Sequence, residues 1–251
     1  MRVGPRVGPR VGPLVGPHEG GSDGVPFDAA MGRYAPTTAA HWAAILATAG
    51  VASQPTSSYA FTEGSGDLND QIGAVTFTSN GTPNYQQSIT GSSRPCVTFD
   101  DGGTDYFNCA IPNANVSSAL VIAYVALTGA AGGTRNILQH PNIFAEAIAT
   151  GKLRADGGSM VDSTANLGTT WHAIVLRSNV TATRQAIIYE EEVLAPSWFA
   201  DSPGTLILGG ASASAAGMAV NLLARWEGAA AELSNAQVKS ILQALGWTVA
   251  W

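Results

Sequence analysis

The run Ala119-Leu120-Val121-Ile122-Ala123-Tyr124-Val125-Ala126-Leu127 is the longest uninterrupted apolar stretch of the chain, and its length and composition decide the fold class. A helix crossing a membrane needs about 20 such residues, so this run cannot be one and no membrane partner is expected. Val, Ile and Tyr favour extended backbone, where branched and aromatic side chains pack across a pleated surface. The run lacks the polar alternation of a half-exposed strand, which predicts a central strand covered on both faces. Thr170-Trp171-His172-Ala173-Ile174-Val175 reads the same way.

Further strands are expected over 58–62, 74–79, 95–100, 105–111, 136–139, 142–149, 186–190, 205–208 and 220–226, because clusters of Gly, Asn, Asp and Ser separate apolar or alternating segments there. Many short strands at such spacing build a sandwich or a barrel. A helix is expected on either side of them. Thr37 or Thr38 can cap the first, Trp42, Ile45, Leu46 and Ala49 recur at helical spacing, and Gly50 stops it. Ser234, then Val238, Ile241, Leu242 and Leu245, then Gly246 repeat that design.

The N-terminus is a four-residue repeat, Val3-Gly4-Pro5-Arg6, Val7-Gly8-Pro9-Arg10, Val11-Gly12-Pro13-Leu14, Val15-Gly16-Pro17-His18. Proline at every fourth position removes amide donors and excludes a helix or a central strand, leaving an extended or serially turned arm. Its arginines are followed by no apolar stretch of about 7 to 15 residues, so it does not read as a secretory signal. Arg2, Arg6 and Arg10 are its only charges. Three of the twelve basic residues therefore sit in the arm, and from Glu19 onward nine face eighteen acidic residues, a net of −9. The 251-residue chain carries −6 in all, which argues against nucleic acid as a partner. Charged residues are only 12% of it, against a usual share of about 25%, so Ser, Thr, Asn, Gln and Gly must cover much of the surface.

Several motifs, in order, resemble the laminin G-like branch of the concanavalin A-like lectin/glucanase superfamily. They are Glu63-Gly64-Ser65-Gly66-Asp67-Leu68-Asn69-Asp70, Val97-Thr98-Phe99-Asp100-Asp101-Gly102-Gly103-Thr104-Asp105-Tyr106-Phe107, Trp171-His172-Ala173-Ile174-Val175, Thr205-Leu206-Ile207-Leu208-Gly209 and Leu233-Ser234. At Tyr189-Glu190-Glu191-Glu192-Val193 the chain departs from the family, which usually turns there with Asp-Gly. The resemblance implies an all-β fold: a two-sheet antiparallel jelly-roll sandwich, here with a short N-terminal helix, a C-terminal helix and the extended arm. The division expected is arm 1–26, linker with helix 27–54, and sandwich with final helix 55–251, the last closing its core without the first two. Glucanases of this superfamily carry Glu-x-Asp-x-x-Glu, whose carboxylates divide the work of nucleophile and acid. No Glu-x-Asp occurs in this chain, so no enzyme is expected.

The remaining candidates are few. Asp100, Asp101 and Asp105 bring three carboxylates to one turn, which could ligate Ca²⁺ or a glycan, or could simply make the turn. No other cofactor is expected, since His18, His41, His140 and His172 are scattered without metal-ligand spacing. Glu190, Glu191 and Glu192 read as a solvated loop, and Trp198 and Phe199 as aromatics at a sheet edge beside a glycan site. A hairpin turning at Gly102-Gly103 would set Cys96 opposite Cys109, as a disulfide or as two free buried thiols.

Two functions from different classes follow. The leading expectation is a structural component of a bacteriophage particle, a capsid decoration or tail or fibre part at the virion surface. It would be anchored to other virion subunits by Arg2, Arg6, Arg10, Val3, Val7, Val11 and Val15, homo-oligomeric in the assembly, and able to display its sandwich to host-surface glycans. The alternative is a free carbohydrate-binding, lectin-like module.

Overall fold

The structure, a computed structural model, describes residues 25–86, 88–89, 91–110, 118–140, 143–156, 159–179, 184–195, 204–210 and 215–251. The arm residues Arg2, Val3, Arg6, Val7, Arg10, Val11 and Val15, and the aromatics Trp198 and Phe199, lie outside these residues.

Among the described residues the strands form two large antiparallel sheets face to face, the expected jelly-roll sandwich. One sheet runs Met160–Asn166, Lys152–Asp156, Ile143–Ala147, Arg135–His140, Thr205–Gly209, Tyr106–Ala110, Thr78–Asn80. The other runs Glu192–Leu194, Arg184–Tyr189, Trp171–Asn179, Ala119–Leu127, Met218–Glu227, Cys96–Phe99, Asn84–Gln86, with Ser57–Tyr59 also paired to Met218–Glu227.

Ala119–Leu127 is buried throughout, and the two sides of its pleat explain why. Ala119, Val121, Ala123, Val125 and Leu127 point between the sheets. Leu120, Ile122, Tyr124 and Ala126 point outward, where two helices cover them. Helix α1, Ala39–Ala49, is capped by Thr38, whose side chain accepts from the His41 amide at 3.2 Å, and ends at Gly50 with φ 68°. Helix α2, Asn235–Ala244, opens with a capping box between Ser234 and Gln237. Gly246 follows it at φ 92°, where a Cβ would lie 3.1 Å from the Gly32 carbonyl oxygen.

Helix α1 is part of this packing. Trp42, Ile45 and Leu46 are buried in the outer core together with Trp226, Val238, Ile241 and Leu242. The Trp42 indole N–H donates to Ser58 Oγ at 3.0 Å, inside the first strand of the sandwich. The division expected near residue 55 is therefore not where packing divides, because the outward face of the central strands is apolar and needs this helix to cover it.

The expected hairpin at Gly102-Gly103 does not form. Cys96–Phe99 and Tyr106–Ala110 belong to opposite sheets, and residues 100–105 carry the chain across the edge of the sandwich. Phe99 and Phe107 meet edge to face from the two sides with centroids 6.1 Å apart. Cys96 points outward beneath the helices and Cys109 inward, so the expected cross-strand disulfide is absent and both thiols are free and buried. Cys109 instead accepts from Arg225 Nη1 at 3.3 Å, and Arg225 Nη2 donates to Glu227.

Candidate functional site

The first described segment builds one wall of the site. Phe27–Asp28 pairs with Arg33–Tyr34, and Asp28, only 1% exposed, pins this hairpin to the sandwich. Its Oδ2 accepts from Ser92 Oγ at 2.6 Å and the Ser93 amide at 3.0 Å, while Oδ1 accepts from Ser93 Oγ at 2.8 Å and the Ala30 amide at 3.0 Å. Burial opposes ionisation of this carboxyl, but hydrogen bonds from Ser92, Ser93, Met31 and Ala30 outweigh it and hold the group below its ordinary value. Tyr124 OH donates to the Tyr34 carbonyl at 2.8 Å, and the Tyr34 amide donates to the Leu245 carbonyl at 2.9 Å. Held in this way, the Arg33 guanidinium lies over the Trp247 ring, 4.5 Å from its centroid. Arg33 Nη1 donates to the Gly32 carbonyl at 2.9 Å, and its buried Nε has no acceptor among the described residues.

A cleft of about 390 Å³ opens beside it, bordered by Arg33, Gly91, Thr169, Thr170, Trp171 and Trp247. The two indoles are buried and form an apolar floor, while Gly91, Thr169 and Thr170 are exposed at the rim. A Cβ on Gly91 would lie 3.2 Å from Trp171 Cδ1, so glycine lets this loop close over the ring. Thr169 also lines two neighbouring depressions, so three hollows meet at this end of the sandwich.

Behind the rim, Trp171–Asn179 points His172 between the sheets. Its Nδ1 lies 2.5 Å from Glu190 Oε1 and its Nε2 lies 3.1 Å from Thr170 Oγ1. Glu190 Oε2 accepts from the Ala173 amide at 3.0 Å. Burial alone would lower the imidazole's pKa, but the hydrogen bond to Glu190 and the charge on it outweigh burial and raise it above the ordinary value.

The expected solvated loop at 190–192 is thereby corrected. Glu190 is 8% exposed because it closes the Trp171–Asn179 edge by serving both His172 and Ala173. Glu192 accepts from the Thr164 amide at 2.8 Å, Thr164 Oγ1 at 3.0 Å and Tyr189 OH at 3.0 Å, which ties the edge strands of the two sheets together. Glu191 alone of the three stays in solvent.

Asp100, Asp101 and Asp105 do not converge. Asp101 pairs with Arg135 at 3.2 Å and accepts from the Gly132 amide at 3.1 Å, whereas Asp105 accepts from the Thr82 amide at 2.9 Å on another loop, and Asp100 is exposed. Among the described residues no group of three His, Cys, Asp or Glu side chains is placed to hold a metal ion. Asp105 stands behind a second cleft of about 470 Å³, lined by Gly64, Gly66, Gly81, Thr82, Asn84 and Tyr85. Among the described residues that line it the one aromatic is Tyr85, which spends its hydroxyl on the Gly66 carbonyl at 2.7 Å and turns its ring edge-on to Phe107, and none is a cation. The Arg33 cleft combines a cation, hydroxyls and indoles, and is the better candidate.

No family model matches the chain, and no curated protein is similar to it in sequence. Solved structures are similar in fold. One is the sialidase of Trypanosoma rangeli with 2,3-difluorosialic acid as a covalent intermediate, at TM-score 0.60 and 11% identity, covering 78% of this chain and 33% of that one. Another is the binding domain of botulinum neurotoxin DC in complex with SialylT, at TM-score 0.56 and 11% identity, covering 76% of this chain and 51% of that one. A third is botulinum neurotoxin type C, whose cell entry depends on two ganglioside molecules, at TM-score 0.57 and 10% identity, covering 77% of this chain and 52% of that one. What is shared with them is the fold, a two-sheet β-sandwich. This chain spans about a third of the sialidases' length and half of the neurotoxin chains', and at such identities the likeness is one of fold. It does correct one expectation: the chains that contain this fold over part of their length include sialidases, so the missing Glu-x-Asp-x-x-Glu no longer supports the conclusion that the chain is not an enzyme.

Proposed function

We propose that this chain is a carbohydrate-recognition module that takes acidic glycans in the Arg33 cleft. The observation that carries this reading is the Arg33 guanidinium held over Trp247 at the mouth of an indole-floored cleft rimmed by Thr169 and Thr170. Sugars offer apolar C–H faces to indoles and many acceptors to N–H and O–H donors, and a carboxylate-bearing sugar adds a charge that Arg pairs with strongly. A cation at this mouth stands out in a chain of net charge −6. That two neurotoxin chains of this fold are described with SialylT and with gangliosides supports the choice of acidic sugars.

The test is a glycan array probed with the full chain, followed by titration of the best ligand against Arg33→Gln. Binding to sialylated or uronate-bearing glycans that weakens at least about tenfold in the variant, with unchanged circular dichroism, is the expected result. No binding to any glycan, or equal binding by the variant, overturns it.

A second reading concerns how the module is carried. The arginine-bearing repeat Val3 to His18 supports attachment to a particle such as a phage virion, in which the arm binds other subunits and the sandwich is displayed outward. Deleting residues 2–18 should leave binding to glycans intact and abolish incorporation into particles; normal incorporation of that deletion rules out the reading.

A further inference from the structure

Thr170, His172 and Glu190 form one hydrogen-bonded string at the edge of the cleft, in the order hydroxyl, imidazole, carboxylate. The distances are 3.1 Å from Thr170 Oγ1 to His172 Nε2 and 2.5 Å from His172 Nδ1 to Glu190 Oε1. Thr170 is the bend residue immediately before Trp171–Asn179, and its hydroxyl reaches the ring two positions on. Exposure runs in the order that acyl transfer requires. Thr170 is open to solvent on the cleft rim, while His172 and Glu190 are each 8% exposed behind it.

We infer that this string is a catalytic centre for acyl transfer from O-acyl esters, with Thr170 as nucleophile, His172 as general base and then acid, and Glu190 as the positioning residue. A hydroxyl is a weak nucleophile until a neighbouring base can take its proton, and the base works when a third group fixes its tautomer. Glu190 performs that task by occupying Nδ1, which directs Nε2 to Thr170. The groups around the imidazole are Glu190, Thr170, the Leu167 carbonyl, the Tyr189 ring at 6.4 Å and the charge of Glu191. Both charges are negative and favour the imidazolium that forms when the proton moves.

The step balances within the chain and its substrate. Thr170 Oγ bonds to the ester carbonyl carbon and its proton passes to His172 Nε2. Collapse of the tetrahedral adduct breaks the bond to the leaving alcohol oxygen, which takes that proton from His172. Water, deprotonated by the same nitrogen, then attacks the acyl carbon; the bond to Thr170 Oγ breaks, Oγ takes that proton back from His172, and the carboxylic acid leaves. That the natural ester is an acylated sugar hydroxyl rests on the glycan reading above; the chemistry of the string does not.

The probe is p-nitrophenyl acetate, which needs no glycan recognition, so the two readings fail separately. The full chain should hydrolyse it above buffer, with acetyl trapped at low pH mapping to the Thr170 peptide. Thr170→Val should lower the rate at least about a hundredfold, and Thr170→Ser should retain or raise it. The rate should climb with pH through the titration of His172. Glu190→Gln should slow the reaction and move that inflection down, and Glu190→Asp should recover part of both. Hydrolysis no faster than buffer, acetyl mapped to another residue, or an unchanged rate in a folded Thr170→Val chain each overturns the proposal.

Discussion

The indoles of Trp42 and Trp226 meet edge to face with centroids 5.3 Å apart and planes at 85°, one from helix α1 and the other from the strand Met218–Glu227. Both rings are fully buried, so each hides the other from water. Trp42→Ala should cost about 3 to 5 kcal/mol, read as a lowered denaturant midpoint at unchanged slope. A chain beginning near residue 54 should be worse still, binding hydrophobic dyes and aggregating, because it uncovers the apolar outer face of the central strands. A soluble truncation with native-like melting would contradict this packing.

His140 gives a pH dependence with a defined window. It is 5% exposed, neither ring nitrogen has a hydrogen-bond partner among the described residues, and burial followed by the Arg225 charge pushes its pKa from 6.5 down to about 4. Unfolded chains therefore bind a proton between those values that folded chains refuse, and stability should fall as pH drops from 6.5 to about 4, by on the order of 3 kcal/mol. His172, with a raised value, acts oppositely: its contribution is present below pH 6.5 and lost above it, outside this window. Urea melts across the range should lose most of their slope in His140→Leu. A wild-type profile flat from pH 6.5 to 4 would rule the explanation out.

Both thiols should be silent in the native state. Burial raises Cys96 and Cys109 to about 11, so little thiolate forms at neutral pH, and both side chains are buried. Ellman's reagent should report neither thiol in buffer and both in guanidinium. Oxidised and reduced samples should melt together, since no bridge links the sheets.

The Asp101–Arg135 pair should matter little for stability. Its side chains are 37% and 25% exposed, where screening and side-chain entropy leave such pairs worth about 0 to 1 kcal/mol. Asp101→Asn should shift the denaturant midpoint by no more than that. Ca²⁺ should leave the wild-type midpoint unmoved, because Asp101 and Asp105 serve different loops. A Ca²⁺-dependent rise lost in Asp101→Asn would restore the turn as a cation site.

Much of the sandwich was legible where a residue's neighbours in sequence decide its fate. Ala119–Leu127 declares itself by unbroken apolarity, and Thr38, Gly50 and Ser234 act on amides a few positions away. The strands Met160–Asn166, at the sheet edge, and Lys152–Asp156, next to it, give no apolar signal because their solvent side carries Arg154, Asp156 and Asp162. The cleft was not legible at all. Arg33 acquires its role from Trp247 at the far end of the chain, and Glu190 is buried only because His172 stands across a strand pairing. A glutamate triplet carries no local sign that one member will turn inward.

Met218–Glu227 pairs with Ala119–Leu127, Cys96–Phe99 and Ser57–Tyr59, so the middle of one sheet is supplied by a strand made about ninety residues after its central neighbour. Ala119–Leu127, apolar on both sides, must wait with one edge unpaired while the intervening residues are made. Topologies so dominated by distant pairings fold slowly and expose sticky edges in the interval. Yield in a heterologous host should consequently depend on growth temperature and chaperone supply more than on the stability of the finished molecule.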